Sequence, residues 1–143
     1  MKSIIGFMLV VWLPLKNLQV TSPYGYRVHP LTGKYAFHNG VDLRAKHDTV
    51  FAIMDGLVVA SGYDREIGAH IIIRHHGFDS IYGHLGSLFV ACRDSVFAGQ
   101  PLGITGATGA VTAEHLHFAI RRMGRYVNPL QFLYGLLIRK ENE

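Results

Sequence analysis

The sequence predicts a mostly β fold, one antiparallel sheet or small barrel with a short helix near the C-terminus. Three observations predict it. Runs rich in Val, Ile, Phe and Tyr recur at short spacing: Thr49 to Met54, Leu57 to Ser61, His70 to Arg74, Ser80 to His84, Pro101 to Thr105 and His115 to Arg121. The 16 glycines among 143 residues suit turns between strands rather than a helical bundle. Only Leu130 to Arg139 carries a mildly helical pattern. The length fits one domain with a real core and is too short for two. A hydrophobic content of 49% argues against disorder.

Taken in order, the chain opens with Lys2 and an apolar run from Ile4 to Leu15, broken only by Gly6 and Pro14. A positive start followed by an apolar stretch of this length predicts a signal peptide or short N-terminal anchor over residues 1–19, hence export to the periplasm or cell envelope. No small-x-small cleavage site follows, and a first strand buried in the core is the competing reading. One domain is expected over 20–134, followed by a tail over 135–143. Ser22-Pro23-Tyr24-Gly25 and His29-Pro30-Leu31-Thr32-Gly33 are turn chemistry, so an ordered loop is expected there. Asp55-Gly56 is a hairpin signal between the first two strand candidates. Thr105-Gly106-Ala107-Thr108-Gly109 reads as a glycine-punctuated loop.

The formal charge of +4 suits a polyanionic partner without selecting one. No basic run interleaved with aromatics occurs, which argues against nucleic acid as the partner. The lone Cys92 cannot form an internal disulfide, and its apolar neighbours predict a buried structural thiol.

The chemistry concentrates in Phe37-His38-Asn39-Gly40-Val41-Asp42 and Glu114-His115-Leu116-His117-Phe118, with His84 between them. These supply imidazoles and a carboxylate in the number and type of a catalytic zinc site, which uses three protein ligands and leaves one position open. On a strand, His115 and His117 face the same side, about 6–7 Å apart. One can ligate while the other stands beside the metal as acid or base. His38 and Asp42 would share a face on a helix, but Asn39-Gly40 opposes a helix. A tight turn entering a strand brings both inward instead. Glu114 alternates with His115 and is expected to face away from it. His75, His76, His70 and His47 read as surface or hairpin-end residues.

These stretches resemble the lysostaphin-type (LytM-domain) zinc endopeptidases, which cut peptide bonds in bacterial peptidoglycan. The matching segments, in the family's order and spacing, include Thr21-Ser22-Pro23-Tyr24-Gly25-Tyr26-Arg27-Val28-His29-Pro30, the HxxxD of His38 and Asp42, Tyr82-Gly83-His84-Leu85, Gly99-Gln100-Pro101-Leu102-Gly103, Thr105 to Gly109, His115-Leu116-His117-Phe118 and Val127-Asn128-Pro129. The resemblance covers nearly everything from Val20 to Leu133. It implies a compact antiparallel β domain with an open substrate groove, one Zn2+ per chain held by His38, Asp42 and His117, and catalytic roles for His84 and His115. It leaves open which of those two is the general base. Arg27 and His29 are expected to line the groove and contact substrate carboxylates, or else to hold the loop.

The chain departs from the family in having Glu114 where Pro often precedes the HxH, and Ala119 where Glu commonly follows its Phe. The activity implied is zinc-dependent hydrolysis of peptidoglycan stem peptides or cross-bridges, of D,D type, by a monomer with a possible N-terminal membrane tether. The alternative is a non-catalytic module that binds peptidoglycan or activates a partner hydrolase. The presence of all five site residues opposes that alternative.

Overall fold

The computed structural model describes residues 9–141. Its strands are β1 (Val20–Ser22), β2 (Gly25–Val28), β3 (Tyr35–His38), β4 (Val41–Arg44), β5 (Thr49–Phe51), β6 (Gly56–Asp64), β7 (Gly68–Arg74), β8 (Asp79–Leu88), β9 (Ser95–Val96), β10 (Pro101–Thr105), β11 (His115–Arg122) and β12 (Arg125–Val127). One helix follows, α1 (Pro129–Glu141). The fold is mostly β and antiparallel, as expected.

The main sheet runs β1-β4-β11-β8-β7-β6-β9, with β10 joining β5 to β8 and β12 closing a hairpin on β11. Alternation decides which side is core. Leu116, Phe118 and Ile120 of β11 and Ile71 and Ile73 of β7 are fully buried, while His115 and His117 point to the other face. Tyr82 of β8 is also fully buried, and its hydroxyl accepts a hydrogen bond from Ile53 N–H. Burial pushes that phenol up to about 12.

Asn128-Pro129 starts α1. The Asn128 Oδ1 accepts from Gln131 N–H at 3.2 Å, and proline at the first helical position lacks the N–H that would otherwise go unpaired. The helix buries Leu133 and sets Phe132 edge-on to Phe78 at 4.7 Å. It runs straight through position 134, and Leu136 and Leu137 pack against the core.

Several details differ from the sequence expectation. Asp55-Gly56 does not join a hairpin: β5 pairs with β10, and β6 pairs with β7 and β9. The Asp55 side chain instead accepts Ala98 N–H, which ties it to the loop before β10. The opening segment is a strand pair rather than a loop, with β2 and β3 forming a hairpin in register Gly25↔His38 to Val28↔Tyr35. Cys92 is exposed, because it sits in the Ala91–Asp94 turn rather than on a strand. His75 is buried, its ring stacked on Phe78.

Residues 1–8 of the expected export segment lie outside the described residues. Of its remainder, Val11 and Leu15 are buried in the core, and Trp12 N–H donates to Ile53 O at 2.8 Å. No described helix is long and apolar enough to cross a membrane.

Candidate metal centre and groove

Three strand ends build the centre. His38 closes β3, Asn39-Gly40 turns the chain, and Asp42 lies in β4. This is the tight turn that the HxxxD spacing called for. β11 runs between β4 and β8, so that His117 stands opposite both Asp42 and Gly83. Close approach explains Gly40. A Cβ there would lie 2.7 Å from His117 Cε1 and 2.7 Å from the Phe118 carbonyl.

The donor atoms converge. His38 Nε2 and His117 Nδ1 each lie 3.2 Å from Asp42 Oδ1, and one donor atom from each of the three residues falls within 4.8 Å of the others. His38 Nδ1–H donates to Pro23 O at 2.9 Å, which leaves Nε2 bare and aimed at the cluster. Two imidazoles and one carboxylate are a fitting donor set for a divalent transition metal with an open position. Burial pushes the Asp42 carboxyl up, but the close approach of the His115, His117 and His38 rings outweighs it and holds the group well below the usual carboxylate range. Arg27 completes the surround: its Nη1 donates to Ser22 Oγ at 3.0 Å and lies 3.7 Å from Asp42 Oδ2.

His84 and His115 flank the cluster, with ring centroids 4.8 Å apart. His84 adopts φ +59°, a conformation uncommon outside glycine. It is held there from several sides. Its N–H donates to Ile67 O at 2.6 Å, its carbonyl accepts Gly106 N–H at 3.0 Å, and its Nδ1–H donates to Thr108 O at 2.7 Å. Burial pushes its pKa down to about 4, against the Thr108 hydrogen bond. The His115 Nδ1–H donates to Ala113 O at 2.9 Å, and its Nε2 lies 3.4 Å from Asp42 Oδ1. Burial lowers its pKa, but the Asp42 carboxylate outweighs burial and the net shift is upward.

All five expected residues therefore share one groove of about 190 Å³. Arg27 and His29 also line it. His29 Nδ1 accepts Leu31 N–H at 3.2 Å and Thr32 N–H at 3.3 Å, so it shapes the β2–β3 turn. Glu114 faces away, as alternation predicts. Its Oε2 accepts from His47 N–H and, at 3.0 Å, from the Thr105 hydroxyl.

Sequence reading missed Thr108. Its Oγ1 accepts Ala69 N–H at 3.0 Å and donates to Leu85 O at 2.7 Å, so it locks its own carbonyl against His84. The glycine-punctuated loop was the available signal, since Gly109 takes φ +81° to pack against Gly68.

The fold and the donor set define a β domain with a His/Asp cluster able to hold a metal ion on the floor of an open groove. The chain belongs to peptidase family M23, whose model matches residues 36–129. It is 37% identical over 119 residues to the DD-carboxypeptidase/endopeptidase Mpg of Neisseria meningitidis serogroup B, covering 82% of this chain and 27% of that protein. It is 36% identical to the peptidoglycan DD-endopeptidase ShyC of Vibrio cholerae, covering 81% of this chain and 28% of that one. The chain thus spans about a quarter of the length of the curated relatives it matches. Among solved structures, the lysostaphin catalytic domain of Staphylococcus simulans superposes with a TM-score of 0.75 at 30% identity, covering 82% of this chain and 92% of that one. A zinc-containing peptidase from Vibrio cholerae gives 0.76 at 31% identity, covering 83% and 38%.

Proposed function

We propose that this domain is a zinc-dependent endopeptidase that hydrolyses peptide cross-links of bacterial peptidoglycan, of D,D type, in the cell envelope. The observation that carries the reading is the convergence of His38 Nε2, Asp42 Oδ1 and His117 Nδ1 beside two further imidazoles in an open groove. The names of the Neisseria and Vibrio relatives support the substrate class and the D,D preference.

His38, Asp42 and His117 would hold one zinc ion. When bound, zinc supplies Lewis acidity toward the scissile carbonyl and a lowered pKa for water. The remaining work falls to the chain. His84 and His115 each spend Nδ1–H on a backbone carbonyl, which turns Nε2 of both rings away from the backbone. One Nε2 takes the proton of the attacking water. The other, protonated, donates a hydrogen bond to the developing oxyanion and then returns a proton to the leaving amine. Arg27, held by Ser22, lies 3.7 Å from Asp42 Oδ2 and helps orient the carboxylate.

The test is digestion of purified peptidoglycan resolved by mass spectrometry, with zinc, with chelator and with His115→Ala. Zinc-dependent new peptide ends that vanish in the variant are expected. No cleavage by a zinc-loaded protein would instead favour a binding or activating module.

A further inference from the structure

The β2–β3 hairpin forms a two-stranded sheet of its own, apart from the main sheet. Its register pairs Tyr26 with Phe37 and Val28 with Tyr35, so alternation puts these four side chains on one face. The other face carries Arg27 and His38 toward Asp42. The outer face is bare: Tyr26 is 68% exposed, Val28 64%, Tyr35 73% and Phe37 43%. Its rings are ordered against one another. Tyr26 and Tyr35 stack nearly parallel with centroids 5.4 Å apart, Phe37 stands edge-on to Tyr26 at 5.1 Å, and Tyr24 stands edge-on to Phe37 at 5.1 Å. Among the described residues, the Tyr26 and Tyr35 hydroxyls have no hydrogen-bond partner. The face is also continuous with the groove. Phe37 belongs to both, and the Tyr24 hydroxyl donates at 3.3 Å to the carbonyl of Tyr126, another lining residue.

We propose that this outer face is a sugar-binding platform, on which Tyr26, Tyr35 and Phe37 take the glycan strand of peptidoglycan while the attached peptide enters the groove. The ligand rests on the peptidase reading, since the stem peptides of peptidoglycan hang from a sugar chain; the place rests on the hairpin geometry. A pyranose with equatorial substituents presents a face of axial C–H groups, which suits the electron-rich face of an aromatic ring, while its hydroxyl and acetamido groups suit free phenols. Tyrosines supply this contact area at little cost in lost freedom. Other occupants fit less well. A peptide would gain no backbone bonds there, because a sheet offers N–H and C=O groups at its edge and not on its face. A partner protein or a second copy of this chain needs about 800 Å² on each side. The two four-residue strands span only roughly 13 Å by 5 Å.

The experiment uses a ligand with no peptide bond to cut. The full chain is titrated by NMR with a peptide-free tetrasaccharide of alternating N-acetylglucosamine and N-acetylmuramic acid. A second titration gives a sugar-free, cross-linked stem-peptide dimer to the zinc-loaded His84→Ala form, which does not turn it over. The tetrasaccharide is expected to shift the ring signals of Tyr26, Tyr35 and Phe37 and to leave those of His84 and His115 in place. Tyr26→Ser combined with Tyr35→Ser should weaken its binding about tenfold, the scale of lost aromatic contacts, with the melting temperature kept. Tyr26→Phe combined with Tyr35→Phe keeps the rings and should bind more tightly than the serine form. Absence of ring shifts in the parent chain would overturn the proposal. So would undiminished sugar binding by the serine form, or a peptide dimer that shifts the same rings. Self-association of the parent chain in sedimentation, lost in the serine form, would assign the face to a second copy instead. Failure of the endopeptidase reading would appear separately, as absent cleavage of cross-linked peptidoglycan by a chain that still binds the tetrasaccharide.

Discussion

The carbonyl of Thr108 receives the Nδ1–H of His84 at 2.7 Å, and the hydroxyl of the same threonine bridges Leu85 O and Ala69 N. One residue thus ties the position of a groove imidazole to two neighbouring strands, β8 and β7. It also fixes which nitrogen of His84 is bare.

Thr108→Val should therefore leave zinc in place and depress turnover. Both bridges are lost, Ala69 N–H is left without its partner, and the carbonyl that holds the ring is released. A loss of about 10–100-fold in kcat/KM is expected, matching the ~1–3 kcal/mol cost of an unmade buried hydrogen bond. Thr108→Ser keeps the hydroxyl and should retain most activity. Kinetics beside metal analysis would check this, and a fully active Thr108→Val would contradict it.

Substitutions in the centre should sort into two groups. His38→Ala, Asp42→Ala and His117→Ala should purify without stoichiometric zinc. His84→Ala and His115→Ala should keep zinc yet lose roughly 10²–10⁴-fold in rate, the usual worth of an imidazole acid or base. Metal content by mass spectrometry decides the assignment. Stoichiometric zinc in His117→Ala would remove that residue from the ligand set.

Gly40→Ala tests packing against the proposed ligand His117. An added methyl would meet the His117 ring and the Phe118 carbonyl, and neither can yield without shifting β11. Zinc affinity should fall about 10–100-fold, as when the surroundings of a ligand are disturbed. A competition titration with a chelator measures it.

His75 should make stability depend on pH. Its Nδ1–H donates to Asp55 O at 2.7 Å, its Nε2 lies 2.7 Å from Ser80 Oγ, and the Ser80 hydroxyl donates to the Tyr82 hydroxyl at 3.0 Å. Burial disfavours the charged ring and lowers its pKa, against the Asp55 hydrogen bond. The unfolded state takes up a proton below about pH 6.5, whereas the folded state resists. The contribution is therefore full above that pH and declines as pH falls below it. Urea midpoints from pH 8 to pH 5.5 should drop, and His75→Gln should flatten part of that slope. An unchanged slope would mean that other groups govern the acid limb.

Leu15→Ala should destabilise the fold by about 2–5 kcal/mol, the cost of emptying a fully packed leucine site. Denaturant unfolding of the whole chain reads it directly. No effect would place the N-terminal segment outside the cooperative unit.

The sequence by itself determined the fold class and the residues of the centre. Alternating apolar runs set the strands, and Asn39-Gly40 required a turn between His38 and Asp42. The HxH of β11 required both rings on one face, because side chains alternate along a strand whatever surrounds it. Tertiary structure decided what depends on long-range pairing. Which strands neighbour β5, whether His75 is buried and how Cys92 escapes burial follow from contacts between residues far apart in sequence. So does the Thr108–His84 bond. Local pattern is written in nearest neighbours, whereas pairing is fixed only when the whole core closes, and hydrogen-bond partners 20 to 100 positions apart carry no periodic signal.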